Sequence, residues 1–314
     1  MELISEYLSG VWSAVPTPFK EDMSLDYESV ERMVEHHLRL GVKGLFLAGT
    51  CGEGPWLPDR DRLALLQAVT ECAGGRLAVA CQVTDNSAAR ILDNMAAAYQ
   101  VGADIAVIAP PYILFNGTPE NILNLYREAI RNSPLPVGIY DRGQYGSVVV
   151  PTEILPEIYA EEKVVIVKDS SGDAARREAA LAAKAVCPQL KLFNGSEFDC
   201  VSYLEAGYDG LLLGGGVFNG YMAAGIMAAA ADGDMEKAGR LQERMNRIMW
   251  DVYGGKQITC WLTGLKHLLV EMGIFNTRKS YLNYPLTDEC RRAIADVLVN
   301  DRDMLFPWEA EQHG

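Results

Sequence analysis

The chain has 314 residues, 49% hydrophobic and 22% charged, with 42 acidic against 28 basic residues and a formal net charge of −14. That balance repels nucleic acid and anionic membrane surfaces, although a few local donors could still hold one small anion. No apolar run approaches the roughly 18 to 20 residues a membrane span needs, and the opening MELISEYLSG lacks the basic and apolar stretches of a secretory signal.

Along the chain, short β-branched runs alternate with amphipathic segments. A strand is predicted at 11–15, followed by a helix at 27–40 after a Ser-Leu-Asp entry. Strands at 44–47 and 77–82 flank a helix at 59–72, and a helix at 87–99 leads to a strand at 105–108. The next helix, 119–131, opens Thr118-Pro119-Glu120, an N-cap followed by proline at the first helical position. Strands at 137–140, 164–167, 190–193 and 210–213 complete the series. Beyond them the pattern is helical, at about 220–231, 235–253, 258–272 and 288–299.

Eight strand–helix alternations predict a parallel sheet, and eight is the number that closes a (β/α)₈ TIM barrel. The competing open sheet would show a Gly-rich phosphate turn after its first strand, and SAVPTPF at 13–19 is not one. The expected organisation is therefore a barrel over residues 1–232 and a C-terminal helical extension over 233–314. Trp250 and Trp261 suit the extension for packing on the barrel or between subunits. Seven scattered cysteines (Cys51, Cys72, Cys81, Cys187, Cys200, Cys260, Cys290) form no CxxC pair, as expected of reduced thiols in a cytoplasmic protein.

One residue breaks the strand pattern. In VVIVKDSSGD at 164–173, Lys168 stands where one more apolar side chain belongs. It could pair with Asp169 or Asp173, or snorkel to the rim. It could instead be a desolvated amine at the carboxyl end of a barrel strand, where such enzymes do their chemistry. Such an amine attacks a ketone to form an imine, and the protonated imine draws electrons from a neighbouring C–C or C–H bond. That chemistry needs a proton shuttle and donors for a substrate carboxylate. Tyr140, closing the preceding strand in IYD, can supply the first, or be ordinary half-buried packing. The turn GTCGEGPW at 49–56 offers backbone N–H groups and the Thr50 hydroxyl for the second, or is an ordinary βα loop. A further glycine cluster, LLLGGGVFNG at 211–220, includes Gly215 and lies where barrels often hold phosphate. No Lys or Arg accompanies it, which favours close backbone packing.

These pieces occur together in one family. The sequence resembles the dihydrodipicolinate synthase / N-acetylneuraminate lyase family of class I aldolases, from GVWSAVPTPF through GTCGEGPWL, APPYI, GIYD, VVIVKDSSGD and FNGSE to LLLGGGVFNG. The resemblance implies a barrel with a C-terminal helical extension and a homotetramer built as a pair of dimers. It implies Lys168 as the imine-forming lysine, Tyr140 as the shuttle, and Thr50 with its loop as the carboxylate site.

The departures bear on substrate. Cys51 stands where the family has a second hydroxyl residue, and a thiol is a weaker donor. Tyr112 is retained, but Ile113 replaces the second tyrosine of the family synthases. Tyr145 falls where those synthases carry an arginine for the second substrate's carboxylate, leaving Arg142 as the nearest candidate.

The leading expectation is thus a Schiff-base lyase, aldolase or dehydratase for pyruvate or another 2-oxo acid, such as a 2-keto-3-deoxy sugar acid. It requires no metal or other cofactor, and its partner is the small-molecule substrate. Alternatives are a dihydrodipicolinate synthase, a phosphate-gripping barrel, or a catalytically silent barrel that binds a small molecule. No HxH, HExxH or Cys/His cluster suggests a metal aldolase. His36 and His37 are expected to be solvated or at an interface, with His267 in the extension and His313 in the tail. Glu53 and Asp85 are expected at the rim, most simply in structural hydrogen bonds, and Lys266 on a helix face.

Overall fold

The computed structural model describes residues 7–310. Eight parallel strands, β1 (Gly10–Ala14), β2 (Gly44–Leu47), β3 (Ala78–Gln82), β4 (Ile105–Ile108), β5 (Val137–Asp141), β6 (Val164–Asp169), β7 (Lys191–Asn194) and β8 (Gly210–Leu213), pair in sequence order. β8 returns to pair with β1, from Gly10↔Gly210 to Ser13↔Leu213, which closes the barrel. Strands covered on both faces favour continuous apolar runs, and β2, β3, β4 and β8 are buried at every position.

The barrel is filled by pairing large side chains with missing ones. Trp12 is fully buried and meets Phe193 edge-on, with centroids 5.8 Å apart. Trp12 stands opposite Gly44, where an added Cβ would fall 2.3 Å from the indole. Phe193 stands opposite Gly210 in the same way, with 2.5 Å to an added Cβ.

Eight helices follow the strands: α1 (Tyr27–Arg39), α2 (Asp59–Ala73), α3 (Ala88–Gln100), α4 (Pro119–Arg131), α5 (Leu155–Tyr159), α6 (Ala174–Val186), α7 (Cys200–Glu205) and α8 (Gly216–Ala231). Their starts are set by caps. Asp26 accepts from Ser29 N at α1, Thr118 from Asn121 N at α4, and Asp173 from Ala175 N and Arg176 N at α6. α8 begins four residues earlier than expected, because β8 passes through Gly214–Gly215 directly into the helix. No side-chain cap marks that start. The extension comprises α9 (Met235–Tyr253), α10 (Trp261–Glu271), α11 (Asp288–Asn300) and the short α12 (Arg302–Leu305) and α13 (Pro307–Ala310). α9 packs along α8, and Trp250 on α9 stacks on Phe198 in the loop after β7, with centroids 6.0 Å apart.

The histidine expectation is corrected. His36 and His37 lie on the buried side of α1, at 5% and 0% exposure, rather than in solvent. His36 Nε2 is 2.8 Å from the Val217 carbonyl and His37 Nδ1 is 2.7 Å from that of Met33. Burial pulls their pKa values down to about 4 and about 3. They are neutral packing residues at physiological pH, and His313 lies outside the described residues.

Candidate active site

β5 and β6 slip register between Val137 and Gly138, and beyond that irregularity Tyr140 pairs directly with Lys168. Lys168 is 6% exposed, with Nζ 4.3 Å from the centroid of the Tyr140 ring and 5.0 Å from that of Phe46. Tyr140, itself buried, meets Phe46 edge-on with centroids 5.8 Å apart.

Neither candidate partner reaches the amine. Asp169 accepts from Ser171 N and Oγ on one oxygen and from the Tyr208 hydroxyl, 2.7 Å away, on the other. Asp173 caps α6. Among the described residues Lys168 forms no ion pair within 4.0 Å. A lysine this buried and unpaired is costly unless its environment serves a task.

Two residues of the loop after β7 complete its surroundings, and neither was assigned a role from sequence. Gly195 leaves space for the lysine, since a Cβ there would fall 2.9 Å from Lys168 Cε and 2.0 Å from Ser170 Oγ. Glu197 lies across the mouth, accepting from Gly215 N at 2.7 Å and from the Tyr253 hydroxyl at 2.9 Å. Burial raises the Glu197 pKa, opposed by these donors and by the charge of Lys168. The segment FNGSE is visible in sequence, but its link to Tyr253 on α9 depends on a contact 56 residues away.

The loop after β2 faces this group. Thr50 is part-buried and Cys51 buried, with Cys51 Sγ 3.7 Å from the Gly214 carbonyl. Burial first, and the nearby Glu197 charge second, push the Cys51 thiol up to about 12, so it stays protonated. The thiol therefore points at Gly214, and what Cys51 can offer a ligand is its backbone. Among the described residues the N–H groups of Thr50, Cys51 and Gly52 donate no hydrogen bond. Consecutive free amides in a turn form a concave site for an anion. Gly215 has its N–H occupied by Glu197, and a Cβ on it would fall 2.9 Å from the Tyr253 hydroxyl.

Tyr112 and Arg142 form a separate group on the loops after β4 and β5. The Tyr112 hydroxyl accepts from Gln82 Nε2 at 3.2 Å, and its carbonyl accepts from the Ser147 hydroxyl. Arg142 folds over its own loop, where Nη2 would stand 2.9 Å from a Cβ on Gly146 and Nε has no partner among the described residues. Tyr145 is 71% exposed, on the surface of its loop. Asp141 explains the local shape. It accepts from Arg176 Nε at 3.0 Å, Tyr159 Oη at 3.1 Å and Gly143 N at 2.9 Å, in a buried network that consumes its charge.

The rim carboxylates are structural. Asp85 pairs with Arg90 at 2.8 Å. Glu53 and Lys266 form an ion pair with both side chains fully buried. Lys266, read from sequence as a helix-face residue, is therefore interior, and its Nζ also donates to the Lys279 carbonyl at 2.7 Å. Among the described residues no three His, Cys, Asp or Glu side chains gather as a metal-holding group.

The sequence profile of the Dihydrodipicolinate synthetase family matches residues 7–298. A 4-hydroxy-tetrahydrodipicolinate synthase of Kosmotoga olearia is 30% identical over 243 residues, 76% of this chain and 81% of that protein. An N-acetylneuraminate lyase of Salmonella agona is 29% identical over 304 residues, 94% of this chain and 93% of the lyase. Among solved structures, the dihydrodipicolinate synthase of Bacteroides thetaiotaomicron superposes with a TM-score of 0.84 at 28% identity, covering 93% of this chain and 98% of that one.

Proposed function

The chain belongs to the dihydrodipicolinate synthetase family, and from that premise we propose a Schiff-base-forming lyase acting on pyruvate or a longer 2-oxo acid. The observation that carries this reading is Lys168, buried, unpaired and set 4.3 Å from the face of Tyr140. The amine of Lys168 attacks the ketone carbon, the carbinolamine loses water, and an iminium ion results. That cation draws the electron pair of the C3–C4 bond while the Tyr140 oxygen or a water takes the C4 hydroxyl proton, giving an enamine and an aldehyde; protonation of the enamine and hydrolysis of the iminium then release pyruvate and the amine. In a dehydration the same base takes the C3 proton, and the β-hydroxyl leaves as water. Tyr140 relays the proton to and from the carbinolamine oxygen. The free amides of residues 50–52 and the Thr50 hydroxyl hold the 2-oxo acid's carboxylate.

Glu197 argues for the chemistry of the substrate's other end. A carboxylate fixed by Gly215 N and Tyr253 Oη accepts from hydroxyls and repels a second carboxylate. With Tyr145 in solvent and Arg142 on its own loop, a hydroxylated tail such as that of a 2-keto-3-deoxy sugar acid suits the mouth better than aspartate semialdehyde. Glu197 on the amide of Gly215 also weighs against the phosphate-gripping reading, since its carboxylate would repel a phosphate there.

No helix among the described residues is long and apolar enough to cross a membrane, and all seven cysteines are free, which suits a cytoplasmic location. Ile113 and Phe115, exposed by 57% and 101%, give the loop after β4 an apolar surface for assembly into a homotetramer. The test of substrate is a turnover screen. Pyruvate release from 2-keto-3-deoxy sugar acids, with negligible dihydrodipicolinate formed from pyruvate and aspartate semialdehyde, is the expected result. Efficient condensation with aspartate semialdehyde would overturn the substrate reading.

A further inference from the structure

The turn that carries the free amides is held in an unfavourable conformation. Ala48 (φ 53°) and Glu53 (φ 59°), the residues that bracket it, both adopt left-handed backbone without being glycine. Such residues persist only where the surroundings over-determine them. The glycines between and beside them leave no slack: a Cβ on Gly54 would fall 1.7 Å from the Ala48 carbonyl oxygen, and one on Gly52 2.8 Å from Ala48 N. On the barrel side Thr17 Oγ1 donates to the Gly52 carbonyl at 2.6 Å.

On the other side the anchor comes from the extension. Lys266 Nζ on α10 pairs with Glu53 Oε1, donates to the Lys279 carbonyl, and stands 4.6 Å from the centroid of the Phe19 ring. Glu53 Oε2 accepts from Ser280 Oγ at 2.9 Å and from Tyr281 N at 2.6 Å. Both charges are fully buried, so every polar atom of the pair depends on this one arrangement. Lys266 thus spans two places: the turn that carries the free amides, and the segment between α10 and α11.

We propose that Lys266 is a positioning residue. Through Glu53 it sets the turn of residues 49–54 so that the amides of Thr50, Cys51 and Gly52 converge on the substrate carboxylate, and the extension thereby acts on the affinity of the site. This deepens the lyase reading and rests on its carboxylate site. Lys266 itself touches no reacting atom.

The test uses the full-length protein as wild type, Lys266→Met and Ser280→Ala, the last keeping the ion pair and removing one donor to Glu53. Hydrogen exchange measured by mass spectrometry reads the turn, and pyruvate-dependent borohydride trapping reads the site. In Lys266→Met the amides of the 49–54 turn should exchange faster while the β6 peptide stays protected. Half-saturating pyruvate should rise by about 10²-fold, the scale of a small misplacement at a reacting site, with the trapped yield at saturation unchanged. Ser280→Ala should move both readouts in the same direction by less, and it decides alone if Lys266→Met does not fold. A lowered melting temperature with turn exchange and half-saturation both unchanged would reduce the pair to a structural one and overturn the proposal. If the wild type is not trapped at Lys168 at all, the lyase reading falls with the substrate half of this proposal. The exchange data then still decide whether Lys266 sets the turn.

Discussion

Two lysines are buried at the mouth of this barrel, and they differ in one respect. Lys266 is fully enclosed but answered on every side, by the Glu53 carboxylate, the Lys279 carbonyl and the Phe19 ring. Lys168 is nearly as buried, yet only the faces of Tyr140 and Phe46 meet its amine, and no carboxylate pairs with it. Burial alone therefore does not mark a reactive amine. A paired amine has its desolvation offset and is locked in place, whereas an unpaired one keeps its nitrogen open to a ligand. The second arrangement is the one a Schiff base requires.

Replacement of each lysine should break this comparison in opposite directions. Lys168→Met should abolish turnover and imine formation while the melting temperature stays close to that of the wild type, because no ion pair or hydrogen bond is lost. A large loss of stability in that variant would show that Lys168 has a structural partner after all. Tyr140→Phe keeps the ring over Lys168 and removes only the proton relay, so pyruvate should still be trapped while turnover falls by about 10²- to 10⁴-fold. An unchanged rate would move the relay to another group. Lys266→Met leaves the Glu53 carboxylate buried without a cation, and denaturant melts should show a loss of about 3–5 kcal/mol. A loss under about 1 kcal/mol, the size expected of an exposed pair, would mean that water reaches Glu53. The smallest effect is expected at the anion site. Thr50→Val removes one donor while the three amides remain, so pyruvate affinity should weaken by about 1–3 kcal/mol. Equal affinity would leave the carboxylate to the amides alone.

The same contrast explains what the sequence makes legible. The barrel follows from alternation: runs such as IAVI and GLFL, each followed by an amphipathic segment, suit strands covered on both faces, and eight of them close. Lys168 is visible because it interrupts such a run. Lys266 is not distinguishable from a surface lysine, since its partner Glu53 lies 213 residues away and its burial is decided wholly by tertiary packing. Glu197 escapes for the same reason, being held by Tyr253 from α9. His36 and His37 mislead in the other direction. Their polarity suggests solvent, but they fall on the apolar side of α1 with Val30, Met33 and Val34, where carbonyl oxygens accept from or face their rings. Tyr145 shows the limit of reading positions along a loop: its side chain is 71% exposed, while Asp141 at the base of the same loop is held inside by Arg176.

On this reading the unpaired lysine forms the imine and the paired one does not. Borohydride reduction of the purified protein with pyruvate, followed by peptide mass mapping, tests it in one step. A single pyruvyl adduct is expected on the β6 peptide carrying Lys168, and none in Lys168→Met. An adduct on Lys266, or no adduct at saturating pyruvate, would contradict it.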